Sequence, residues 1–398
     1  MVIQSIKGRS ILDSRSNWTL EVEVYCSDGS VGRAAVPSGA ATGAHEAQKL
    51  ANINQAVGNV NAIASSLIGH PVINQPQIDQ LMIGMDGTPE KSNLGANVLY
   101  GISMAVADAA AKSQQIPLYK WIQQLSGRAA PKLPSPLFNL INGGKHANNN
   151  LPFQEFCIVP APGTTFAEQM KVGLMVAKSL KEILHERGHS TMVGDEGGYA
   201  PWIQKNEEAL GLLVEAIQVT GYQPGINVSL ALDVAASNIP DLAAIAYPLS
   251  ASDYFEKLVK DYPITILEDP FDQEDWTNWT QLTAKIGQSI AIVSDDLFNT
   301  NVERLRRGIT EHAATAILIK PDDVGTLTEV LQTVALAESS NYKVIVSHRA
   351  GETESTMIAD LSVGIGAEYI KAGGLSRSER TAKYNQLLRI EAELLSDK

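Results

Sequence analysis

Cysteine is almost missing from this 398-residue chain: only Cys26 and Cys157 occur, both inside apolar segments. Two isolated thiols make neither a disulfide framework nor a cysteine metal site, and they suit a reducing compartment. No stretch approaches the ~20 consecutive apolar residues of a membrane span. Met1–Lys7 has no apolar run of signal-peptide length. The expectation is therefore a soluble, cytoplasmic protein without a membrane partner. Net positive charge is lacking as well. Lys and Arg number 31 against 44 Asp and Glu, and the formal charge of −13 repels phosphate backbones and anionic lipids. Nucleic acid is not expected as a partner. The remaining composition, 44% hydrophobic and 19% charged, is that of a folded globular chain and excludes low-complexity classes. At ~100–200 residues per domain the length allows two or three domains.

The first 125 or so residues read as α+β. Leu20-Glu21-Val22-Glu23-Val24-Tyr25 alternates apolar and charged side chains, as a strand with one wet face does, and Ser27-Asp28-Gly29 supplies a turn. From Leu94 to Lys112, Val98, Ile102, Ala105 and Ala109 recur at helical spacing. Between Leu125 and Pro136 three prolines remove backbone donors and fix φ. These signals predict a domain over 1–125, a linker over 126–136 and a second domain over 137–398.

In the second part, short apolar runs end in a charged residue and lead into helix-like stretches. The charged ends are Asp233, Glu268, Asp295, Lys320, His348 and Lys371, spaced 23 to 35 residues apart, about one strand–helix unit with its loops. An open doubly wound sheet competes, but a βα-barrel better explains why every strand end is charged. Such barrels place their chemistry at the C-terminal strand ends.

Asp233, Glu268 and Asp295 present hard oxygen ligands of the kind magnesium takes; each could instead cap the helix that follows it. Lys320 and Lys371 could be neutral bases if desolvation and nearby positive charge depress their pKa, or merely solvated or paired lysines. Asn142 to Asn150 reads as a mobile loop, with Glu155 following between apolar flanks. Its Gly-Gly-Lys-His is not a P-loop, because the spacing is wrong and His146 stands where a hydroxyl is needed. Gly194-Asp195-Glu196-Gly197-Gly198 is either a ligand-approaching turn or a plain surface turn. Val36 to Gly43 is rich in small residues, as a lid requires.

Taken together the motifs resemble the enolase family over almost the whole chain. They are Ile11-Leu12-Asp13-Ser14-Arg15, Gly32 to Ala40, Asp86-Gly87-Thr88, Gly194 to Gly198, Glu268-Asp269-Pro270-Phe271, Ser347-His348-Arg349 and Ser376 to Arg380. The resemblance implies a small N-terminal α+β domain, a TIM-like barrel whose first units depart from strict βα alternation, and a homodimer. It also implies a lyase, phosphopyruvate hydratase, that dehydrates 2-phospho-D-glycerate to phosphoenolpyruvate in glycolysis, using magnesium, two ions per site. Enolase-superfamily sites serve as a general example of a lysine or histidine base working with one or two magnesium ions. By the same resemblance Asp233, Glu268 and Asp295 are metal ligands, Lys320 is the base at C2, and Lys371 holds the substrate carboxylate. Glu196, helped by Glu155, is the general acid, kept protonated by its like-charged neighbour. Arg349 binds phosphate, His146 and His348 are active-site histidines, and Ser38 of the lid reaches the second magnesium.

Several positions depart from the family pattern. Ala350 stands where enolases carry a phosphate-binding serine, and Asp322-Asp323 where the family has asparagine and glutamine. Ala41 replaces a lid serine, Ser16 and Trp18 replace glycine and proline, and Asn238-Ile239 replaces glutamate-phenylalanine. After Glu46 a charged stretch of the family is absent, leaving Lys49-Leu50-Ala51-Asn52. These departures motivate an alternative, a paralogue using the same enolate chemistry on a related phosphorylated or phosphonate acid. A further alternative is a non-catalytic enolase-fold binding protein, for which Lys398 could be cited.

Overall fold

The computed structural model describes residues 1–39 and 43–396. Ala40, Ala41 and Thr42 of the lid segment and the terminal Lys398 lie outside the described residues. The chain opens with an antiparallel sheet, β1 (Ile3–Leu12), β2 (Trp18–Cys26) and β3 (Val31–Ala35), in that order. As the alternation predicts, Leu20, Val22 and Val24 of β2 are fully buried. Four helices follow: α1 (Ile53–Leu67), α2 (Gln75–Asp86), α3 (Ala96–Ser113) and α4 (Leu118–Ser126). Helix α3 is the one expected from Leu94 to Lys112, and it lies so close to β3 that a Cβ on Gly32 would sit 2.0 Å from the Ala105 carbonyl oxygen. Only glycine allows that approach. Ser16, where the family has glycine, takes φ 63°, a conformation that costs an L-residue roughly 1–2 kcal/mol.

The barrel closes through eight strands: β4 (Ser135–Asn142), β5 (Glu155–Pro160), β6 (Val228–Asp233), β7 (Ile264–Glu268), β8 (Ala291–Ser294), β9 (Ala316–Ile319), β10 (Lys343–Ser347) and β11 (Tyr369–Lys371). Closure excludes the open sheet. Strand β5 runs antiparallel to both β4 and β6, whereas the other pairs are parallel. That is the expected break in βα alternation. Strands β4 and β5 have no alternation to mark them in the sequence, because both of their faces are buried and the asparagine-rich loop between them dominates the local signal.

Every second strand residue points inward. Leu137, Cys157, Val159, Ala231, Ile266, Ala291, Val293, Ala316, Leu318 and Ile345 fill the barrel as one core of their own, with Tyr369 against it. A larger core lies between the strands and the outer helices. Extending the inward parity by two residues reaches Glu155, Asp233, Glu268, Asp295, Lys320, Ser347 and Lys371. The same alternation that packs the interior therefore gathers these side chains at one mouth.

Candidate active site

At this mouth Glu155, Asp233 and Glu268 stand side by side, since Glu155 pairs in register with Asp233 and Asp233 with Glu268. All three are buried. Like charges directly opposed on neighbouring strands repel, and burial, then Asp233, pushes the Glu268 carboxyl up to about 8. Lys371, brought across the barrel by β11, answers part of this. Its Nζ lies 3.0 Å from Glu155, 3.0 Å from Asp233, and 2.8 and 2.9 Å from the two Glu268 oxygens.

The second lysine, Lys320, donates to Asp295 Oδ2, and its backbone N–H is fixed by the Thr300 hydroxyl at 2.9 Å. Here the structure corrects the sequence expectation for both lysines. Burial alone would depress them, but carboxylates outweigh it: Asp295, Asp323 and Asp296 hold Lys320 above its ordinary value. Asp233, Glu155 and Glu268 hold Lys371 well above its own.

Two further carboxylates complete the acidic wall. Asp269 sits at φ 44° and accepts the backbone N–H groups of Asp295 (2.9 Å) and Asp296 (3.0 Å). Oxygens of Asp269, Asp295 and Asp296 lie within 4.8 Å of one another, and burial, then Asp295, pushes Asp296 up to about 7. Sequence reasoning quoted Asp269 only as part of a motif and passed over Asp296. The doubled acids Glu268-Asp269 and Asp295-Asp296 were the available signal.

The acid loop lies beside this cluster. Gly197 takes φ 87°, and a Cβ there would fall 2.5 Å from the Ser376 carbonyl oxygen; that tight turn presents Glu196 to the cavity. Glu196 accepts from the Asn139 amide at 3.1 Å. His146 Nδ1 lies 3.2 Å from Glu196 and 3.9 Å from Glu155. His348 Nε2 is 3.5 Å from Glu196. The two carboxyls are shifted in the opposite sense from that expected of Glu196 as the protonated member. Burial, then the Glu196 charge, keeps Glu155 well above the carboxylate range. For Glu196, burial is outweighed by His146, His348 and Arg380, which hold it well below.

Arg380 was quoted in a motif without a role, yet it organises this end. Fully buried, it bonds His348 Nδ1 at 2.6 Å and the carbonyl oxygens of Arg349, Ala350 and Asp195 at 2.6, 2.6 and 3.0 Å. A guanidinium only donates, so Nδ1 accepts and the neutral ring turns its Nε2–H toward Glu196. Burial and the Arg380 charge keep the ring neutral by driving its pKa well down.

Arg349 follows β10 and borders the same cavity, but its fork is filled. Nη1 donates to Asp323 and lies 3.5 Å from Asp322, while Nη2 reaches both Glu46 oxygens at 3.0 and 3.1 Å. Lys49 lies 2.6 Å from Asp322 and 2.8 Å from Glu46. The two aspartates, which depart from the family pattern, chiefly face Arg349 and Lys49, although Asp323 does contribute to holding Lys320 up. Ser38 is pinned to the loop after β10 by reciprocal backbone bonds with Gly351 (2.6 and 2.8 Å), and its hydroxyl bonds Asp13. Gly39, not Ser38, lines the cavity. Asn238 accepts from Lys145 at 2.7 Å.

A barrel mouth with this ring of acids and lysines can be set against known families. Residues 3–122 match the family described as enolase, N-terminal domain, and residues 130–398 match enolase, C-terminal TIM barrel domain. The chain belongs to the enolase family. Enolase-superfamily enzymes carry out magnesium-dependent enolate chemistry, and the family's domains mark a lyase-type enzyme. The residues fit such an ion. The donors are hard carboxylate oxygens without sulfur, and the raised Glu268 and Asp296 carboxyls show more buried negative charge than Lys371 and Lys320 neutralise.

Proposed function

We propose that this enolase-family chain is a hydro-lyase that removes water from a 3-hydroxy carboxylate by taking the proton next to the carboxylate. The observation that supports it best is the placement of base and acid. In the closed strand order β10-β11-β4-β5-β6-β7-β8-β9, β9 and β5 stand four strands apart, on opposite sides of the ring. Lys320 on β9 thus faces Glu155 on β5 across the mouth. A substrate held between them loses its C2 proton toward Lys320 Nζ, which acts as base only after giving up the proton that Asp295 stabilises on it, while Glu155, the protonated member of its pair, gives a proton to the departing C3 hydroxyl. Glu196 keeps Glu155 protonated through its charge, and the neutral His348 restrains Glu196. Lys371 neutralises the substrate carboxylate.

Asp233, Glu268 and Asp295 would hold magnesium, with Asp269 and Asp296 shaping that wall. When bound, two such ions would offset the negative charge that grows on the carboxylate during deprotonation.

On the completeness of this set, the first reading is the family's reaction, 2-phospho-D-glycerate to phosphoenolpyruvate by a phosphopyruvate hydratase (EC 4.2.1.11) of glycolysis. A second reading, a related acid, is favoured by Arg349, whose fork already holds three carboxylates of the chain. The product's absorbance decides between them: magnesium-dependent appearance from 2-phosphoglycerate, abolished by a chelator, supports the first, and no turnover at millimolar substrate removes it. The family resemblance extends the proposal to a cytoplasmic homodimer acting on a small molecule, without nucleic-acid or membrane partners. No helix among the described residues is long and apolar enough to cross a membrane.

A further inference from the structure

Four cationic side chains, Lys145, Lys320, Arg349 and Lys371, line the cavity. The exposed Lys145 rests on Asn238. Lys320 and Lys371 are bonded to the carboxylates of the proposed ion site, where the chemistry needs them. A phosphate on the substrate would therefore depend on Arg349, the one guanidinium of the wall and the residue type best shaped for phosphate oxygens. Both of its terminal nitrogens are taken, by Glu46 and Asp323, with Asp322 at 3.5 Å. Every one of these groups is buried, Arg349 side chain to 2% exposure, Asp322 and Asp323 to 1% and Glu46 to 5%. Lys49 belongs to the same cluster, 2.6 Å from Asp322 and 3.6 Å from Asp323. Two cations against three carboxylates leave no positive charge for an incoming dianion. Neighbouring Ala350 offers no hydroxyl donor.

We propose that Asp322 and Asp323 are specificity-determining residues which, with Glu46 and Lys49, close Arg349 to phosphate, so that the acid dehydrated here carries an uncharged hydroxyl at C2. This rests on the enolate reading above and sharpens its second substrate to a 2,3-dihydroxy carboxylate. The step balances without an oxidant. Lys320, as the neutral amine after releasing its own proton to solvent, takes the C2 proton, the C–H electron pair forms the C2–C3 double bond, and the C3–O bond breaks to release water with the proton from Glu155. The resulting enol gives up its hydroxyl proton and gains one at C3, leaving a 2-oxo acid.

The first test is calorimetric titration of the magnesium-loaded protein with inorganic phosphate, wild type against Asp322→Asn/Asp323→Asn. The expected result is at least tenfold tighter phosphate binding by the double variant; equal or tighter binding by the wild type overturns the proposal. Should the double variant fail to fold, Asp323→Asn alone, nearly isosteric, gives the same comparison. In a second arm, C2-proton exchange in heavy water is followed by NMR for D-glycerate and 2-phospho-D-glycerate. Faster exchange of glycerate supports the proposal, and faster exchange of the phosphorylated acid overturns it. Exchange of neither acid overturns the enolate reading instead, while the phosphate titration still decides whether Arg349 is closed.

Discussion

Two arcs of the barrel mouth handle buried charge in opposite ways. From β5 to β8, Glu155, Asp233, Glu268, Asp269, Asp295 and Asp296 face only two bonded ammonium groups, Lys371 and Lys320. Burial and like-charged neighbours push Glu155, Glu268, Asp269 and Asp296 up toward neutrality. At the loop after β10 the chain brings its own counter-charges: Arg349 and Lys49 meet Glu46, Asp322 and Asp323 within one buried cluster. A deficit of cations marks a place that an ion from solution completes. A cluster whose guanidinium and ammonium are already bonded to carboxylates of the chain, one carboxylate in excess and Asp323 pushed well up by burial and Glu46, offers an incoming anion nothing to bind. The lesson is that chemistry and selectivity separate on this barrel, the first residing in inward strand ends and the second in the loops beyond them.

The sharpest way to break that contrast is Arg349→Met. It removes a cation from a buried network and leaves carboxylates facing one another, so a loss of ~3–5 kcal/mol in unfolding free energy is expected. Denaturation midpoints check this, and an unchanged midpoint would show the cluster to be solvated. Next in size, Lys320→Ala should cut kcat at least ~100-fold, about 2.7 kcal/mol of barrier, on whichever acid turns over. Near-normal kcat would remove Lys320 as base and leave the first arc without a catalytic reason for its charge.

A reference outside both arcs is Asp360, in the helix Met357–Gly364. Burial, then Asp108, raises it to about 7 despite bonds of 3.2 Å from the Gln386 amide to both of its oxygens. An acid raised in the fold stabilises below its unfolded value and loses that contribution as pH climbs to its folded one. From about pH 5 to about pH 8 the wild type should therefore lose about 2–3 kcal/mol through this group. Asp360→Asn should flatten that part of the profile, and a profile identical to wild type would assign the pH dependence to the mouth. The smallest effect is expected at Arg380→Lys, which keeps the charge but loses the planar fork that fixes the His348 tautomer. A kcat reduction of about tenfold with KM nearly unchanged is expected, together with a shifted His348 ring signal by NMR; an unmoved ring signal would deny the positioning role.

Much of this was legible in the sequence because a barrel strand carries its message in its last residue. Asp233, Glu268, Asp295, Lys320 and Lys371 end short apolar runs, and strand parity turns all of them inward. The Leu20–Tyr25 alternation and the 94–112 periodicity were equally plain in the spacing of their apolar residues, although α3 turns out to be buried on nearly every side. Strands β4 and β5 were not, being buried on both sides and antiparallel where the rest is parallel. The partners of Arg349 were hidden for another reason. Glu46 and Lys49 lie about 270 to 300 positions from Asp322-Asp323 and Arg349, and only the fold brings them to one guanidinium. The protonation order of Glu155 and Glu196 was likewise unreadable, because it depends on which carboxylate the histidines and Arg380 surround.

The most direct measurement of the central claim is magnesium-dependent exchange of the C2 proton in heavy water, across the phosphorylated and unphosphorylated acids, for wild type and Lys320→Ala. Exchange by the wild type with at least one acid, lost in the variant and lost on chelation, is the predicted result. Exchange that persists unchanged in Lys320→Ala, or that ignores the chelator, would contradict it.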